Sequence, residues 1–333
     1  MNRCYLPIVL FVLSLSAPCY SQDNSKLVLS GQVRKLWDKG NHNAFTDLTR
    51  YKGKFYCVFR EGSGHASGTG KIRVLVSENG KDWKSAALLS KKKTDLRDSH
   101  LSITPDGKLM INGGAAYPYT RNPVTEHYSF VSFSKDGSNW TPPRKVLGNW
   151  QWLWQVTWHK GNAYGVAYQW DPKSKSRKYS GALYKSKNGL DWQKLTDLGI
   201  PNTTEATIRF QGDTMLILQR RDGNPRTAQL GVVQAPYKKI TWHDLGFYYG
   251  GPNLIRDPKG NWWTAGRIIK GGAKTVLCRL DLEKIKLQPM LTLPSGGDTS
   301  YPGLVWHDDR LWVSYYSSHQ GRTSVYLAEV DVK

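Results

Sequence analysis

The chain has 333 residues, and its 47 lysine and arginine residues exceed its 26 aspartate and glutamate residues by 21. A charge of this size favours an anionic partner, although long-range attraction selects a sign of charge and not a reaction. The lysine residues are scattered, and no recognised nucleic-acid-binding motif accompanies them. We therefore expect no nucleic-acid partner.

The N-terminal segment MNRCYLPIVLFVLSLSAPCYS has a basic residue, an apolar run and a small-residue end. This pattern is typical of a secretory signal peptide, which is too short to remain as a membrane span. We predict a signal peptide at 1–21 and a mature chain at 22–333 that is secreted or periplasmic, without stable membrane insertion. Cys19 would suggest a lipid anchor, but Pro18 directly before it does not suit a lipoprotein signal.

Two cysteines, Cys57 and Cys278, remain in the mature chain. Each lies in an apolar run typical of a buried strand, FYCVF and TVLCRL. We therefore expect two buried free thiols, and no spacing of cysteine and histidine indicates a zinc site.

A repeated hairpin pattern accounts for the rest of the chain. Each copy has a short apolar strand, a polar turn and a second strand rich in aromatic and β-branched residues. The turns are centred on Gly53, Gly107, Gly161, Gly212, Gly260 and Asp309, at intervals of 54, 54, 51, 48 and 49 residues. Each interval leaves room for two further strands. We predict an all-β fold, a single six-bladed β-propeller of four-stranded antiparallel blades, in which KLVLSGQVRKLW at 26–37 supplies the outer strand of the last blade.

A second motif, Ser-x-Asn/Asp-Gly-x-x-Trp, follows the predicted third strand of three copies. It reads SENGKDW at 77–83, SKDGSNW at 134–140 and SKNGLDW at 186–192. Serine and Asn/Asp side chains bond nearby backbone groups, glycine supplies a positive φ, and tryptophan fills the space between sheets. We interpret these repeat turns as scaffold that lies away from the propeller axis.

Three such turns at blade spacing resemble the Asp-box repeats of the sialidase (neuraminidase) superfamily, over essentially the whole mature chain. In retaining sialidases a tyrosine nucleophile is activated by a glutamate, an aspartate is the acid/base, and three arginines bind the substrate carboxylate. The resemblance implies an exo-acting glycoside hydrolase of sialidase-like fold that needs no metal or organic cofactor. It also implies an acidic glycan or polysaccharide as the partner, and we expect a monomer.

The resemblance assigns roles to residues near the predicted strand ends. Tyr301 of SYPGLVWHDDRLWVSYY matches the nucleophile, and Glu205 of TEATIRFQGDTMLILQRRDG matches its activating base. Arg220 or Arg221 of the same stretch matches the second arginine, and Arg267 of WWTAGR matches the third. A neutral phenol is a better nucleophile than a carboxylate toward an anionic sugar, because it avoids like-charge repulsion.

Repeat phase supports this grouping independently of the family. Tyr301 and Glu205 lie one position apart in phase at the starts of first strands. Arg60 and Arg267 share a phase at the ends of second strands, and Arg220 comes one residue later. Because the two strands of a hairpin are antiparallel, these ends meet at one rim of the propeller. We predict that the three arginines bind a carboxylate there.

The first blade departs from the family pattern. In its stretch HNAFTDL, Ala44 stands where the family has the first arginine of an Arg-Ile-Pro motif. Arg60 or Arg97 would replace the missing charge, or the substrate is an acidic sugar other than sialic acid. Asp47 of the same stretch is a further candidate for substrate binding.

The acid/base also differs from the family. The loop FREGSGHASGTGKIR contains no aspartate where the family places this residue. Glu61 and His65 are the nearest substitutes, and Asp98 of LRDSH at the start of the second blade is a third candidate.

Structural roles compete with each of these assignments. Tyr301 could pack beside Pro302, and Arg60 and Arg267 could form surface or inter-blade ion pairs. The stretch QWLWQVTW at 151–158 could form an aromatic sugar platform, although blade-core packing is the stronger expectation. For the whole chain we predict a hydrolase that removes a terminal acidic sugar with retention. The alternatives are a non-catalytic propeller that binds anionic polysaccharide, and a polysaccharide lyase that uses a tyrosine and a histidine on a uronate.

Overall fold

The structure is a computed structural model that describes residues 25–117, 126–173 and 178–333. The predicted signal peptide lies outside the described residues. Within these ranges no helix is long and apolar enough to cross a membrane.

The described residues form six antiparallel sheets around one axis, which confirms the predicted six-bladed propeller. Two short strands open the chain, β1 (Leu27–Leu29) and β2 (Arg34–Trp37). Blade 1 contains β3 (His42–Tyr51), β4 (Lys54–Gly62), β5 (Lys71–Ser77) and β6 (Lys84–Leu89). Blade 2 contains β7 (Asp95–Ile103), β8 (Leu109–Tyr117), β9 (Glu126–Ser134) and β10 (Arg144–Val146). Blade 3 contains β11 (Gln151–Leu153), β12 (Thr157–His159), β13 (Asn162–Trp170), β14 (Tyr179–Ser186) and β15 (Trp192–Asp197).

The second half of the ring repeats this order. Blade 4 contains β16 (Thr203–Gln211), β17 (Thr214–Arg221), β18 (Gln229–Val233) and β19 (Thr241–Asp244). Blade 5 contains β20 (Gly250–Arg256), β21 (Trp262–Ile268), β22 (Lys274–Asp281) and β23 (Lys286–Thr292). Blade 6 contains β24 (Thr299–His307), β25 (Arg310–Ser317) and β26 (Ser324–Val332). The first strands of neighbouring blades contact one another, so they lie at the axis.

The N-terminal segment closes the ring. Strands β1 and β2 both pair antiparallel with β26, so they provide the outer strand that blade 6 lacks. The predicted role of 26–37 is therefore confirmed. Blade 3 also has five strands, because its first strand is broken into β11 and β12, which both pair with β13.

An apolar cluster fills each junction between neighbouring blades. The cluster between blades 1 and 2 includes Val58 and Phe130, and the one that closes the ring between blades 6 and 1 includes Phe55 and Trp312. Both faces of a blade are therefore covered, which explains why strands such as β8 and β25 bury nearly every residue. Cys57 and Cys278 are free and buried in this interior, as predicted.

All six predicted turn residues lie between the first and second strands of their blades, and all have positive φ. The last turn lacks glycine and places Asp308 and Asp309 at φ 49° and 55°. Aspartate is among the non-glycine residues that tolerate this region best.

The three repeat turns connect third and fourth strands, on the outer side of the blades. In the second turn, Ser134 Oγ accepts a hydrogen bond from Gly137 N at 2.8 Å, and Trp140 Nε1 donates to Gly137 O at 3.0 Å. A Cβ on Gly137 would lie 2.1 Å from the ring of Tyr56 in blade 1. These turns therefore pack each blade against the one before it, and they carry none of the candidate site residues.

Candidate functional site

An irregularity interrupts the innermost strand of every blade at the same level. Register shifts lie within β3, β7, β16, β20 and β24, and the break between β11 and β12 takes their place in blade 3. The residues at these positions are Phe45, Asp98, Trp154, Glu205, Gly251 and Tyr301. Four of the six have positive φ. A β-bulge bends the strand and re-aims a side chain, so the innermost strands present these side chains at the axis.

The bulge residues pack against one another around Tyr301. Its ring centroid lies 5.2 Å from that of Phe45 and 5.2 Å from that of Trp154. A Cβ on Gly251, which has φ 55°, would lie 2.2 Å from the Tyr301 ring. Glycine is therefore required at Gly251 both for its backbone conformation and for the close approach of the tyrosine.

The central contact joins Tyr301 to Glu205. Tyr301 Oη donates a hydrogen bond to Glu205 Oε1 at 2.5 Å. Gly251 N donates to the other carboxylate oxygen at 2.8 Å, and Arg220 Nη1 donates to both oxygens. Asp222 in turn accepts from Arg220 Nη2 at 3.0 Å. Glu205 is 5 % exposed, and these bonds fix the orientation of its carboxylate before any ligand arrives.

The protonation states of this pair follow from its surroundings. Burial raises the pKa of Tyr301 well above its ordinary value, the Glu205 charge raises it further, and Arg220 opposes both. Burial also raises the pKa of Glu205, but the charge and hydrogen bonds of Arg220 and the bond from Tyr301 outweigh it and lower that pKa overall. At neutral pH the pair is therefore a neutral phenol bonded to a carboxylate that can accept its proton.

Asp98 supplies a second carboxyl group at the same level. Burial raises its pKa to about 6 and the Glu205 charge also raises it, while the Arg97 charge lowers it and His100 and His65 lower it further. The field of Asp98 in turn raises the pKa of Tyr301. Two carboxyl groups whose surroundings separate their pKa values are the arrangement from which acid and base roles are assigned.

Arg267 faces the phenols of the site. Its Nη1 donates to Thr299 O and its Nη2 donates to Tyr248 Oη, both at 3.3 Å. Burial opposes its charge, but the fields of Tyr301, Tyr316 and Tyr248 raise its pKa overall. In the part of the chain that the structure describes, no ion pair joins Arg267 to a carboxylate, so this guanidinium can bind an anion. We call Asp98, Glu205, Arg220, Arg267 and Tyr301 the axial site.

Arg60 does not belong to the axial site, and its predicted role in substrate binding is wrong. Its side chain is completely buried, and Nε donates to Asp95 Oδ1 at 2.7 Å. Nη1 donates to Gly64 O at 2.7 Å, and Nη2 donates to Ser67. Asp95 also accepts a hydrogen bond from Arg97 Nη2 at 2.5 Å. The loop after β4 folds back over Arg60 and buries its guanidinium completely, so this side chain is not accessible to a ligand.

Arg97 belongs to the same hydrogen-bond network as Arg60 and Asp95. Besides Asp95, its Nη2 bonds the backbone oxygen of His65 at 3.0 Å. Its guanidinium lies over the Phe45 ring at 5.9 Å, and its side chain is 17 % exposed. Arg97 therefore lies beside the axial site, where it holds a loop.

Three further predicted site residues point elsewhere, and these predictions are corrected. Glu61 lies on the opposite face of β4 from Arg60, where Trp37 and Arg73 donate to its oxygens. Asp47 is 2 % exposed, and backbone N–H groups on β3 and β7 donate to both of its oxygens. Arg221 is bonded to Thr227 on the far side of β17, so Arg220 is the arginine that reaches the axis.

His65, the third acid/base candidate, lies at the exposed edge of the site. Its side chain is 57 % exposed, and Nδ1 lies 2.7 Å from Asp298 Oδ2. Its ring contacts Phe45 at 5.2 Å between centroids. Of the three candidates, Asp98 is the one at the level of Tyr301 and Glu205.

Sequence reasoning missed the tyrosines of the second strands. Tyr168 and Tyr316 lie seven residues after the turn residues Gly161 and Asp309, in the phase of Arg267. The ring centroid of Tyr316 lies 5.9 Å from that of Tyr301, and the two rings stack. Burial raises the pKa of Tyr168, and the charges of Asp98 and Glu205 raise it further. Repeat phase alone could have found both residues.

Trp154 lies in the aromatic stretch at 151–158, for which a sugar platform and blade-core packing were the two expectations. It is 1 % exposed and packs against Tyr301, so it is a core residue.

Polar side chains fill the axis beneath the bulges. Arg209 Nη2 donates to Asn253 Oδ1 at 2.9 Å, and Asn253 Nδ2 donates to Pro302 O at 2.9 Å. Arg209 Nη1 donates to Thr157 Oγ1 at 3.0 Å. This network supports the strand segments that carry the bulges from below.

A separate cavity of about 870 Å³ lies between the repeat turns of blades 2 and 3. Trp140, Trp158 and Leu190 form its apolar wall, and it contains no residue of the axial site. This cavity is therefore separate from the axial site. The convergence of a phenol, two carboxyl groups and two guanidinium groups marks the axial site instead.

Known structures share this fold. A protein of unknown function from Dyadobacter fermentans superposes with a TM-score of 0.81 at 18% identity, covering 92% of this chain and 100% of that one. A Trypanosoma rangeli sialidase in complex with sialic acid gives a TM-score of 0.67 at 12% identity, over 92% of this chain and 59% of that one. The GH93 α-L-arabinofuranosidase of Fusarium graminearum in complex with arabinobiose gives a TM-score of 0.70 at 13% identity, over 90% of this chain and 98% of that one.

No protein-family model matches the chain, and no curated protein matches it in sequence. At these low identities the structural likeness establishes the fold, a six-bladed propeller that glycoside hydrolases also use.

Proposed function

We propose that the protein is an exo-acting, retaining glycoside hydrolase with a tyrosine nucleophile, and that it removes a terminal acidic sugar from glycans. One observation carries the proposal, the 2.5 Å contact between Tyr301 Oη and Glu205 Oε1. A buried phenol bonded to a buried carboxylate, with a second carboxyl group at the same level, supplies nucleophile, base and acid/base together.

In the first step Tyr301 Oη attacks the anomeric carbon and its proton passes to Glu205. Asp98, in its protonated form, transfers its proton to the leaving glycosidic oxygen as that C–O bond breaks. In the second step the Asp98 carboxylate takes a proton from water, and the resulting hydroxide displaces Tyr301 from the anomeric carbon. The phenol recovers its proton from Glu205. Two inversions at one carbon give net retention.

Arg220 and Arg267 have different tasks in this scheme. Arg220 is bonded to Glu205 and Asp222, so its charge keeps the base ionised until the proton arrives. Arg267 has its charge directed into the site and binds the substrate carboxylate. The net charge of +21 attracts anionic glycans over longer distances.

Two observations favour an acidic sugar. The nucleophile is a neutral phenol, which an anionic substrate does not repel, and one of the similar structures is a sialidase that holds sialic acid. Another similar structure holds arabinobiose, so a neutral pentofuranoside belongs in any substrate panel as the alternative.

The direct test measures hydrolysis of aryl α-sialosides, other ulosonides, uronides and α-L-arabinofuranosides by the wild-type protein and Tyr301→Phe. We expect an acidic glycoside to be cleaved, with the first-formed product anomer retaining the substrate configuration by NMR. Tyr301→Phe should lower kcat by at least about a thousandfold.

Equal activity of the two proteins would remove Tyr301 from the mechanism. An unsaturated sugar product, which hydrolysis does not form, would identify a lyase. Binding without turnover on the whole panel would identify a non-catalytic glycan-binding propeller. Each of these results contradicts the proposal.

A further inference from the structure

Three side chains of metal-binding type converge where the ring closes between blades 1 and 6. His42 Nε2 lies 2.9 Å from Asp298 Oδ2, and His65 Nδ1 lies 2.7 Å from the same oxygen. The three ligand atoms lie within 4.8 Å of one another. They come from the start of β3, the loop after β4 and the residue before β24, so no sequence spacing indicates them.

The donor set and its dimensions fit a tetrahedral ion. Two imidazole nitrogens and one carboxylate oxygen, with a fourth position for water, suit Zn²⁺. Bonds of about 2.0–2.2 Å put the ligand atoms of a tetrahedral site about 3.4 Å apart. The His42–Asp298 and His65–Asp298 distances need to widen by only about 0.5–0.7 Å to reach this value.

The surrounding residues hold two of the three ligands in place. Tyr316 Oη donates to Asp298 Oδ1 at 3.0 Å, which leaves Oδ2 to face the histidines. The loop that carries His65 is fixed by Arg60, which bonds Gly64 O, and by Arg97, which bonds His65 O. Such partners, which orient ligands without touching the ion, are a regular feature of metal sites.

The site is accessible from one side. The His42 side chain is 9% exposed, whereas those of His65 and Asp298 are 57% and 26% exposed. A hydrated ion can therefore enter beside His65 and keep a water molecule. His42 Nδ1 is buried and has no hydrogen-bond partner among the described residues. Coordination through Nε2 places the ring proton on that atom, so we expect weaker binding than at a four-ligand structural zinc site.

We propose that His42, His65 and Asp298 bind a divalent transition-metal ion, for which Zn²⁺ is the fitting choice, and that the ion ties the His65 loop of blade 1 to blade 6. The ion stabilises the closure of the ring next to the axial site, since Phe45 and Tyr316 contact both groups of residues. This inference does not depend on the proposed glycosidase activity.

Isothermal titration of Zn²⁺ into the full protein, without a histidine tag and stripped with EDTA, tests the proposal. We expect one ion per chain, no such binding in His65→Ala or Asp298→Ala, and affinity lowered about 10–100-fold in Tyr316→Phe. Because His65 is exposed, its removal leaves the fold intact. Zn²⁺ should also raise the thermal unfolding temperature of the wild type and not that of His65→Ala.

His243→Ala in blade 4 is the matched control, because it removes a histidine distant from the cluster, and it should bind like the wild type. The proposal is overturned if the wild type shows no stoichiometric binding, or if His65→Ala binds Zn²⁺ as tightly as the wild type. It is also overturned if His243→Ala loses affinity as much as His65→Ala does, since binding would then be adventitious.

Discussion

Replacing Asp98 by asparagine should inactivate the protein and stabilise it at the same time. The Asp98 carboxyl has a pKa of about 6 against an ordinary value of 3.8, chiefly because burial penalises its charged form. Asparagine has the same shape without the charge, and it adopts the φ of +50° found at this position as readily as aspartate does. The substitution therefore removes the cost of ionising this group.

The magnitude follows from proton linkage. Between about pH 4 and pH 6 the folded protein holds a proton on Asp98 that the unfolded chain has released, so the free energy of unfolding falls as the pH rises through this window. A pKa difference of about two units corresponds to about 3 kcal/mol. Because Asp98 is only partly buried, Asp98→Asn should thus be up to about 3 kcal/mol more stable than the wild type at about pH 7, and equally stable at about pH 3.

Urea unfolding at the two pH values measures the difference in stability, and a pH–rate profile measures the activity. Wild-type activity should fall as the pH rises above about 6, where Asp98 loses the proton that the leaving group needs. The exposed residue Asp38, 3.8 Å from Lys35, provides the control, and Asp38→Asn should change stability by less than about 1 kcal/mol at both pH values. Equal stability of Asp98→Asn and the wild type at about pH 7 would refute the reasoning, as would an Asp98→Asn variant that keeps its activity.

Three further changes test other parts of the structure. Arg60→Met removes one of the two guanidinium partners of the buried Asp95 charge and leaves Arg97 as the other, so it should lower the free energy of unfolding in urea by about 1.5–3 kcal/mol. A loss below about 1 kcal/mol would contradict the assigned ion pair. Gly137→Ala should lower the free energy of unfolding by about 1–3 kcal/mol more than Gly107→Ala does. Both glycines have positive φ, but only a Cβ at position 137 would meet the Tyr56 ring. Equal losses of stability in the two variants would show that the Tyr56 ring moves aside without cost. Arg267→Met should raise KM for acidic glycosides and leave that for neutral ones unchanged, and equal effects on both would exclude a carboxylate-binding role.

The sequence by itself determined the architecture and the level of the axial site. The turn spacing and the alternation of strands predicted six blades, and the unpaired outer position of the last blade predicted ring closure by residues 26–37. Phase within a repeat fixed which residues reach the axis, since each blade bends at the same point of its first strand. That phase placed Tyr301 and Glu205 at one level of the propeller, although they lie 96 positions apart.

Only the tertiary structure decided what each axial residue contacts. Arg60 and Arg267 share a repeat phase, yet Arg60 is buried against Asp95 of blade 2, and Arg267 has no ion pair with a carboxylate within the described ranges. Asp298 holds in blade 6 the place that Asp95 holds in blade 2, three residues before the bulge residue, but it contacts two histidines instead. Phase fixes the height and direction of a side chain within its own blade. Its partner comes from the neighbouring blade or from a loop, whose side chains a repeat pattern does not specify.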